Sequence, residues 1–273
     1  IGMALANIGE TELYYEVHGS GPVILFAAGL GGRGNYWRAQ IDEFARDHRV
    51  IIFDHRGVGG SGPAKPPFSI SGLAGDVIEL MDVIDLAKVN YVGHSTGGAM
   101  GQWLAVNHPE RFSAMVLSAT WRRADTRFRA LFETRKETLN RFGTEAYIRH
   151  GLDWLYPGDW FTENDGRLDD IAARMAEDQP PDNIIAGRLD AIINSDHGDG
   201  LCDIHIPVLV TYASDDYLVP PGYPRDVVKN IPGARTRRFA SGGHHFPVTR
   251  AERFNTVLRD FLDCLGTGQV RDG

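Results

Sequence analysis

The chain has 273 residues, of which 42% are hydrophobic and 23% are charged, so its composition is that of a folded globular protein and excludes disordered, collagen-like and coiled-coil chains. This length allows one large domain or two small ones. The formal net charge is −8 and no basic run is longer than two arginines, which argues against a nucleic-acid partner.

The first 120 residues alternate strand-like apolar runs with helix-like segments. Leu73–Leu86 carries apolar side chains at positions 73, 77, 80, 81 and 84, which is the periodicity of a helix. Strands that alternate with helices indicate a mostly parallel sheet covered on both faces. The predicted strands are Leu13–Val17, Val23–Ala28, Val50–Phe53, Val89–Val92 and Ala114–Leu117, and a second helix covers about Gly97–Asn107.

Residues 121–203 have a different character, because no strand pattern is visible and the segment is rich in Arg, Asp and Glu. We predict that this segment is a helical insertion into one sheet, whose core is formed by residues 3–120 and 204–265. The predicted helices of the insertion are Phe128–Phe142, Thr144–Trp154, Leu168–Glu177 and Ile184–Ile193. Strand and helix signals alternate again afterwards, at Val208–Tyr212, Val227–Ile231, Thr236–Phe239 and a last helix near Glu252–Cys264.

The sequence Gly93-His94-Ser95-Thr96-Gly97 follows a predicted strand and begins a predicted helix. A turn this tight requires small residues two positions before and two positions after the serine, and it leaves the serine hydroxyl exposed at the edge of the sheet. This context predicts that Ser95 is a nucleophile. The alternative is a glycine-rich turn without chemistry.

A serine hydroxyl becomes a good nucleophile only when a base takes its proton and an anion orients that base. Two neighbouring aspartates, Asp215 and Asp216, follow one downstream strand, and two neighbouring histidines, His244 and His245, follow the next. Because strands of a parallel sheet end at the same edge, one residue of each pair can lie beside Ser95. Position along the chain alone leaves the choice within each pair open.

The order Ser, Asp, His along the chain is that of the α/β-hydrolase superfamily, which this sequence resembles from Leu13 to about Cys264. The resemblance implies the α/β-hydrolase fold, with a mostly parallel central sheet, flanking helices and residues 121–203 as a helical cap. It also implies a serine hydrolase that works through a triad and an oxyanion hole.

The resemblance favours one residue of each pair. The acid of the superfamily typically lies four residues before a proline, as Asp216 does before Pro220. The base typically lies about eleven residues before a Phe-Asn-like pattern, as His244 does before Asn255. The family pattern therefore implies that Asp216 and His244 complete the triad, with the preceding aspartate as the alternative acid and His245 as a neighbour in the pocket.

An oxyanion hole needs two backbone N–H groups that point to the developing negative charge. Thr96 supplies one of them by its position after the nucleophile. The loop after the second predicted strand resembles the superfamily's His-Gly-x loop and implies that Leu30 supplies the other, although Ala28 stands where the family usually has His.

Aromatic and arginine residues at the start and middle of the insertion are candidates for the substrate pocket, and part of them can equally belong to the core of the cap. Arg122 and Arg123 begin the cap, where a guanidinium could hold a carboxylate or carbamate oxygen, or could simply lie on a solvated face. The predicted substrate-binding residues are Tyr36, Trp37, Trp121, Arg123, Trp154, Tyr156 and His245.

Four segments carry a narrower resemblance, to the aminoacrylate (carbamate-type) hydrolases of bacterial pyrimidine catabolism. They are Gly29–Trp37, Leu155–Trp160, Ala213–Asp216 and Gly242–His244. This resemblance implies a small ester, an enol-lactone or a carbamate/enamine-type C–N compound as substrate. A C–C bond hydrolase or cofactor-free perhydrolase of the same fold, and a hydrolase-derived ligand receptor with slow turnover, are the alternatives.

The chain has two cysteines, Cys202 and Cys264, and neither lies in a CxxC motif or near a set of histidine and cysteine ligands. We therefore expect a cytoplasmic enzyme that needs no metal or cofactor and contacts no membrane. The expected partner is the small-molecule substrate, and the oligomeric state, monomer or homodimer, stays open.

Overall fold

The central element is a sheet of eight strands in the computed structural model, which describes residues 2–267. Its strands are β1 (Gly2–Asn7), β2 (Glu12–His18), β3 (Val23–Ala27), β4 (Arg49–Phe53), β5 (Val89–His94), β6 (Phe112–Ser118), β7 (Val208–Ala213) and β8 (Arg235–Phe239). They lie side by side in the order β1-β2-β4-β3-β5-β6-β7-β8.

Strands β4, β3, β5, β6, β7 and β8 are all parallel, whereas β1 and β2 run antiparallel to their neighbours. The predicted mostly parallel sheet is therefore confirmed. The inner strands are buried on both faces, which explains why they are continuous apolar runs in the sequence. Strand β1 was not predicted, because five of its six residues are exposed and it lacks the alternation that burial on one face imposes.

Helices cover both faces of this sheet. Within the described residues they are α1 (Arg38–Phe44), α2 (Ile70–Val83), α3 (Thr96–Asn107), α4 (Thr126–Leu155), α5 (Gly158–Glu163), α6 (Leu168–Glu177), α7 (Asp182–Ile193), α8 (Gly222–Asn230), α9 (Phe246–Thr249) and α10 (Ala251–Thr267). The buried side chains of α1 and α10 pack on one face, and those of α2 and α3 pack on the other. In this part of the chain no helix combines the length and the apolar character needed to cross a bilayer.

The helices α4 to α7 lie between β6 and β7, in the segment for which the sequence predicted only helices. Helix α4 is interrupted at Gly143, whose φ of 79° lies in the left-handed region that favours glycine. This interruption falls between the two predicted segments, Phe128–Phe142 and Thr144–Trp154. Helices α6 and α7 both pack against α4, and residues of these three helices line the same cavity as the loops at the carboxyl ends of β3 and β5.

Candidate active site

Ser95 lies in the sharp turn between β5 and α3, with backbone angles φ 55° and ψ −113°. A non-glycine residue rarely adopts a positive φ, and such strain persists only where the surrounding structure holds it. Glycine is required on both sides of this turn. A Cβ atom at Gly93 would overlap the carbonyl of Gly97, and one at Gly97 would overlap the carbonyl of Ala27. The side chain of Ser95 faces the cavity described below.

Asp216 and His244 form a buried pair beside this turn. The Nδ1 atom of His244 lies 2.8 Å from Oδ2 of Asp216, and both residues are at most 2% exposed. The other carboxylate oxygen accepts a hydrogen bond of 2.8 Å from the backbone N–H of Val219. A carboxylate in this position places the imidazole proton on Nδ1, so Nε2 is left as the basic nitrogen.

Asp215 has a different environment, although it precedes Asp216 in the chain. Its two carboxylate oxygens accept hydrogen bonds of 3.0 Å from the backbone N–H groups of Gly242 and Gly243. Asp215 thus fixes the loop that leads to the histidine pair, whereas Asp216 contacts the imidazole of His244.

The two backbone N–H groups predicted for the oxyanion hole lie on either side of Ser95. Thr96 is the first residue of α3, and the N–H groups of a first helical turn have no partner within the helix. Leu30 follows Gly29, where a Cβ atom would lie only 3.2 Å from Cβ of Ser95, so this loop passes directly beside the serine. Arg188 of α7 holds the same loop, since its Nε donates to the carbonyl oxygen of Leu30 at 2.8 Å.

Ser95 and His244 line one cavity of about 610 Å³, which lies between the sheet and the helices α4 to α7. A volume of this order suits a small molecule. The loops after the strands form one wall, which we call the sheet wall. Residues of α4, α6 and α7 form the other, which we call the helical wall, and these include Phe132, Arg135, Tyr147, Ile148, Met175 and Ile192.

An aromatic cluster lies around His244 on the sheet wall. The ring of Tyr36 stacks on His94, with centroids 5.0 Å apart, and the ring of His94 lies 4.8 Å from that of His244. His245 contacts the rings of Tyr36 and Tyr156 edge-on, at 5.3 and 5.1 Å. Tyr36, Tyr156 and His245, three of the predicted substrate-binding residues, therefore line the cavity.

Burial keeps two histidines of this cluster neutral. Burial, together with the neighbouring His244 and the charge of Arg135, lowers the pKa of His245 to about 3. Burial also holds the pKa of His94 well below its usual value. Neither ring carries a charge at neutral pH, and Nδ1 of His94 lies 3.3 Å from the hydroxyl oxygen of Ser118.

Three predicted pocket tryptophans lie outside the cavity. Trp37 is fully buried in the core between the sheet and α10, and Trp121 is fully buried with its Nε1 donating to Ser195 at 2.8 Å. Trp154 is partly buried, and its Nε1 donates to His150 at 3.2 Å. Their role as pocket residues is therefore corrected: they pack the core and the helical segment, because large aromatic side chains bury more area there than at the cavity wall.

The two arginines at the start of the helical segment also lie away from the cavity. Arg122 pairs with Asp226 at 2.8 Å, and Arg123 pairs with Asp196 at 3.1 Å across a half-exposed surface. The prediction that Arg123 binds substrate is corrected, because its guanidinium is already neutralised on the protein surface.

A model of the alpha/beta hydrolase fold family matches residues 22–251 of this chain. The chain belongs to the α/β-hydrolase family. A relative from Azorhizobium caulinodans, named "Putative carbamate hydrolase RutD", is 37% identical over 259 residues, which are 95% of this chain and 98% of the relative. A relative of the same name from Caulobacter vibrioides is 37% identical over 268 residues, covering 96% of this chain and 99% of the relative.

Among solved structures, the chain is similar to the enol-lactonase from Burkholderia xenovorans, with a TM-score of 0.86 and 27% sequence identity. The match covers 95% of this chain and 100% of that one. These findings confirm the predicted fold and the resemblance to carbamate-type hydrolases, and they establish the chain as a hydrolase.

The sequence prediction missed Arg135, a charged residue of this hydrolase that is 4% exposed and lines the cavity. One signal could have found it. Phe128, Phe132 and Leu139 are the buried residues of α4 around it, and Arg135 falls on the same helical stripe. Charged residues are rarely buried, so one that falls within the apolar stripe of a helix predicts a buried charge with a specific role.

Proposed function

We propose that this protein is a serine hydrolase that cleaves a small ester, an enol-lactone or a carbamate/enamine-type C–N substrate through an acyl-enzyme. The observation that carries the proposal is the buried hydrogen bond between His244 and Asp216, in the same cavity as Ser95 on its strained turn. The similarity to a relative named as a carbamate hydrolase and to the structure of an enol-lactonase favours these substrate classes.

In this mechanism the Oγ atom of Ser95 attacks the substrate carbonyl carbon while Nε2 of His244 takes the hydroxyl proton. Asp216 stabilises the imidazolium that forms. The carbonyl oxygen becomes negative in the tetrahedral intermediate, and the backbone N–H groups of Leu30 and Thr96 donate hydrogen bonds to it. Collapse of the intermediate breaks the bond to the leaving group, which receives the proton from His244.

Water then releases the product from Ser95. His244 takes a proton from a water molecule, the resulting oxygen attacks the acyl carbon, and the bond to Oγ breaks. The proton returns to Ser95 and the starting enzyme is regenerated. Each step uses the same base and the same two N–H donors, so the residues named above suffice for both half-reactions.

The experiment that tests this function is covalent labelling combined with Ser95→Ala. We expect a fluorophosphonate to add one adduct at Ser95 and the variant to lose about 10⁴-fold or more in kcat on an ester, an enol-lactone and a carbamate. Ser113→Ala, at an exposed serine of β6, is the matched control and should keep full activity. An active Ser95→Ala enzyme would exclude the acyl-enzyme mechanism.

A further inference from the structure

Arg135 is a buried cation on the helical wall, and no acid within the described residues pairs with it. Its Nη2 donates to the hydroxyl of Tyr147 at 3.1 Å, and its guanidinium carbon lies 5.1 Å from the Tyr147 ring and 5.5 Å from the Phe132 ring. Its Nε is buried without a hydrogen-bond partner. Among residues 2–267, no carboxylate forms an ion pair with it.

The other two arginines of the cavity lining differ in this respect. Arg33 pairs with Asp178 at 2.7 Å, and Arg38 lies 3.8 Å from a carboxylate oxygen of Glu16. Burial of an unpaired charge is costly, and contacts with aromatic rings recover only part of that cost. Arg33 and Arg38 therefore each have a carboxylate of the protein nearby, whereas Arg135, in the same cavity lining, has none within the described residues.

The guanidinium of Arg135 acts on the reactive part of the cavity. Its charge contributes to the lowered pKa of His245, which directly follows His244. The one acid in the cavity lining, Asp42, is exposed and does not pair with Arg135 in the described part of the chain. A ligand in this cavity thus meets a cation on the helical wall and the nucleophile on the sheet wall.

We propose that Arg135 binds a carboxylate of the substrate and so selects small anionic substrates over neutral ones. A guanidinium presents paired N–H donors that match the two oxygens of a carboxylate. Arg135 lines the cavity, and the one side-chain hydrogen bond described for its guanidinium, from Nη2 to Tyr147, uses only part of its donor capacity. This inference rests on the proposed function, to which it adds the charge of the substrate and the residue that recognises it.

The test compares two esters of similar length, 4-nitrophenyl hemisuccinate, which carries a carboxylate, and 4-nitrophenyl pentanoate, which does not. We expect Arg135→Met to lower kcat/KM for the hemisuccinate about 10–100-fold, mostly through KM, because a hydrogen-bonded charge pair is lost. The pentanoate should change less than about threefold. Arg135→Lys should recover part of the binding of the anionic ester, since it restores the charge but not the paired donors.

Thermal unfolding separates recognition from a structural role. If Arg135 serves to bind a ligand, its replacement should not destabilise the fold. Arg135→Met should then unfold at the same temperature as the wild type or higher, because an apolar side chain replaces an unpaired buried cation. Arg141→Met, at an exposed arginine of α4, is the matched control and should leave kcat/KM unchanged for both esters. Equal losses on both esters, or a large drop in unfolding temperature, would assign Arg135 to the structure and overturn the proposal.

Calorimetry with 4-oxopentanoate, a carboxylate whose ketone group has no bond that hydrolysis can cleave, tests the same inference without turnover. The wild type should bind this monoanion, and Arg135→Met should bind it at least tenfold more weakly. If neither nitrophenyl ester is hydrolysed while 4-oxopentanoate still binds through Arg135, the proposed function fails and the anion site stands. If the esters are hydrolysed but binding does not depend on Arg135, the anion site fails and the hydrolase function stands.

Discussion

The two walls of the cavity differ in how their charged groups are paired. On the sheet wall, polar groups pair with one another: Asp216 with His244, and Asp215 with the backbone of Gly242 and Gly243. On the helical wall, apolar side chains surround a single cation, Arg135, that has no acidic partner within the described residues. The two aspartates of the first wall are therefore paired within the protein, whereas the cation of the second wall is the group that we propose binds the substrate carboxylate.

This difference separates two tasks. Groups that must act on every substrate are fixed by short loops at the ends of parallel strands, where backbone N–H groups hold them in one geometry. Arg135, which we propose distinguishes one substrate from another, lies on a helix between β6 and β7. Substitutions on the sheet wall should therefore lower kcat for all substrates, and substitutions on the helical wall should change which substrates are accepted.

Substitutions of the two adjacent aspartates should give the largest difference in kcat on the sheet wall. Asp216→Asn should lower kcat about 10³–10⁴-fold, because the amide no longer stabilises the imidazolium of His244 and favours the wrong tautomer. Asp215→Asn should cost less than about tenfold in kcat and lower the unfolding temperature instead, since its oxygens bind backbone N–H groups of a loop.

Steady-state kinetics and thermal unfolding of both variants decide this prediction. The variants are matched in chemistry and in position along the chain, so each serves as the control for the other. A larger loss of kcat in Asp215→Asn than in Asp216→Asn would contradict the assignment of the acid.

Arg188 of α7 connects the helical segment to the loop that contains Gly29 and Leu30. Its guanidinium donates to the carbonyls of Leu30 and Gly29 at 2.8 and 3.4 Å, and it contacts Nδ1 of His55 at 2.6 Å. Burial lowers the pKa of Arg188 to about 10, so the group remains charged at neutral pH. Its donors hold the backbone, in contrast to those of Arg135.

We expect Arg188→Met to lower kcat about 10–100-fold on charged and neutral esters alike, because the N–H of Leu30 is no longer held in place. KM should change little. Kinetics well below the unfolding temperature separates this effect from lost stability, with Arg123→Met as the control at a half-exposed ion pair. A substrate-dependent loss would instead place Arg188 in recognition.

Acid should destabilise the sheet wall through its neutral histidines. The folded protein keeps His245 unprotonated to a pKa of about 3, whereas the unfolded chain binds that proton near pH 6.5. Between these values the unfolded state holds more protons, so the free energy of unfolding falls as the pH decreases. Each such histidine contributes about 1.4 kcal/mol per pH unit.

Urea unfolding between pH 7 and pH 4 measures this slope. His245→Gln should reduce it by about 1.4 kcal/mol per pH unit in the lower part of the range. His205→Gln, at an exposed histidine, should leave the slope unchanged. Identical slopes for the wild type and His245→Gln would show that the His245 ring is protonated in the folded protein.

The sequence by itself predicted the elements that local pattern dictates. Continuous apolar runs mark the inner parallel strands, and the tight turn around Ser95 requires glycine at fixed positions, so both are visible without a structure. The choice of Asp216 over Asp215 required a family pattern, since neighbouring carboxylates are chemically identical until the backbone directs one to His244.

Only the tertiary structure decided which side chains of the helical segment face the cavity. Trp121, Arg123 and Arg135 all lie in that segment, but a helix exposes or buries a residue according to the element packed against it. Arg135 lies on α4, against which α6 and α7 pack, and lines the cavity, whereas Arg123 precedes α4 and pairs with Asp196 at the surface. Local sequence sets where a helix begins and ends, whereas contacts between residues distant in the chain set which of its faces meets the substrate.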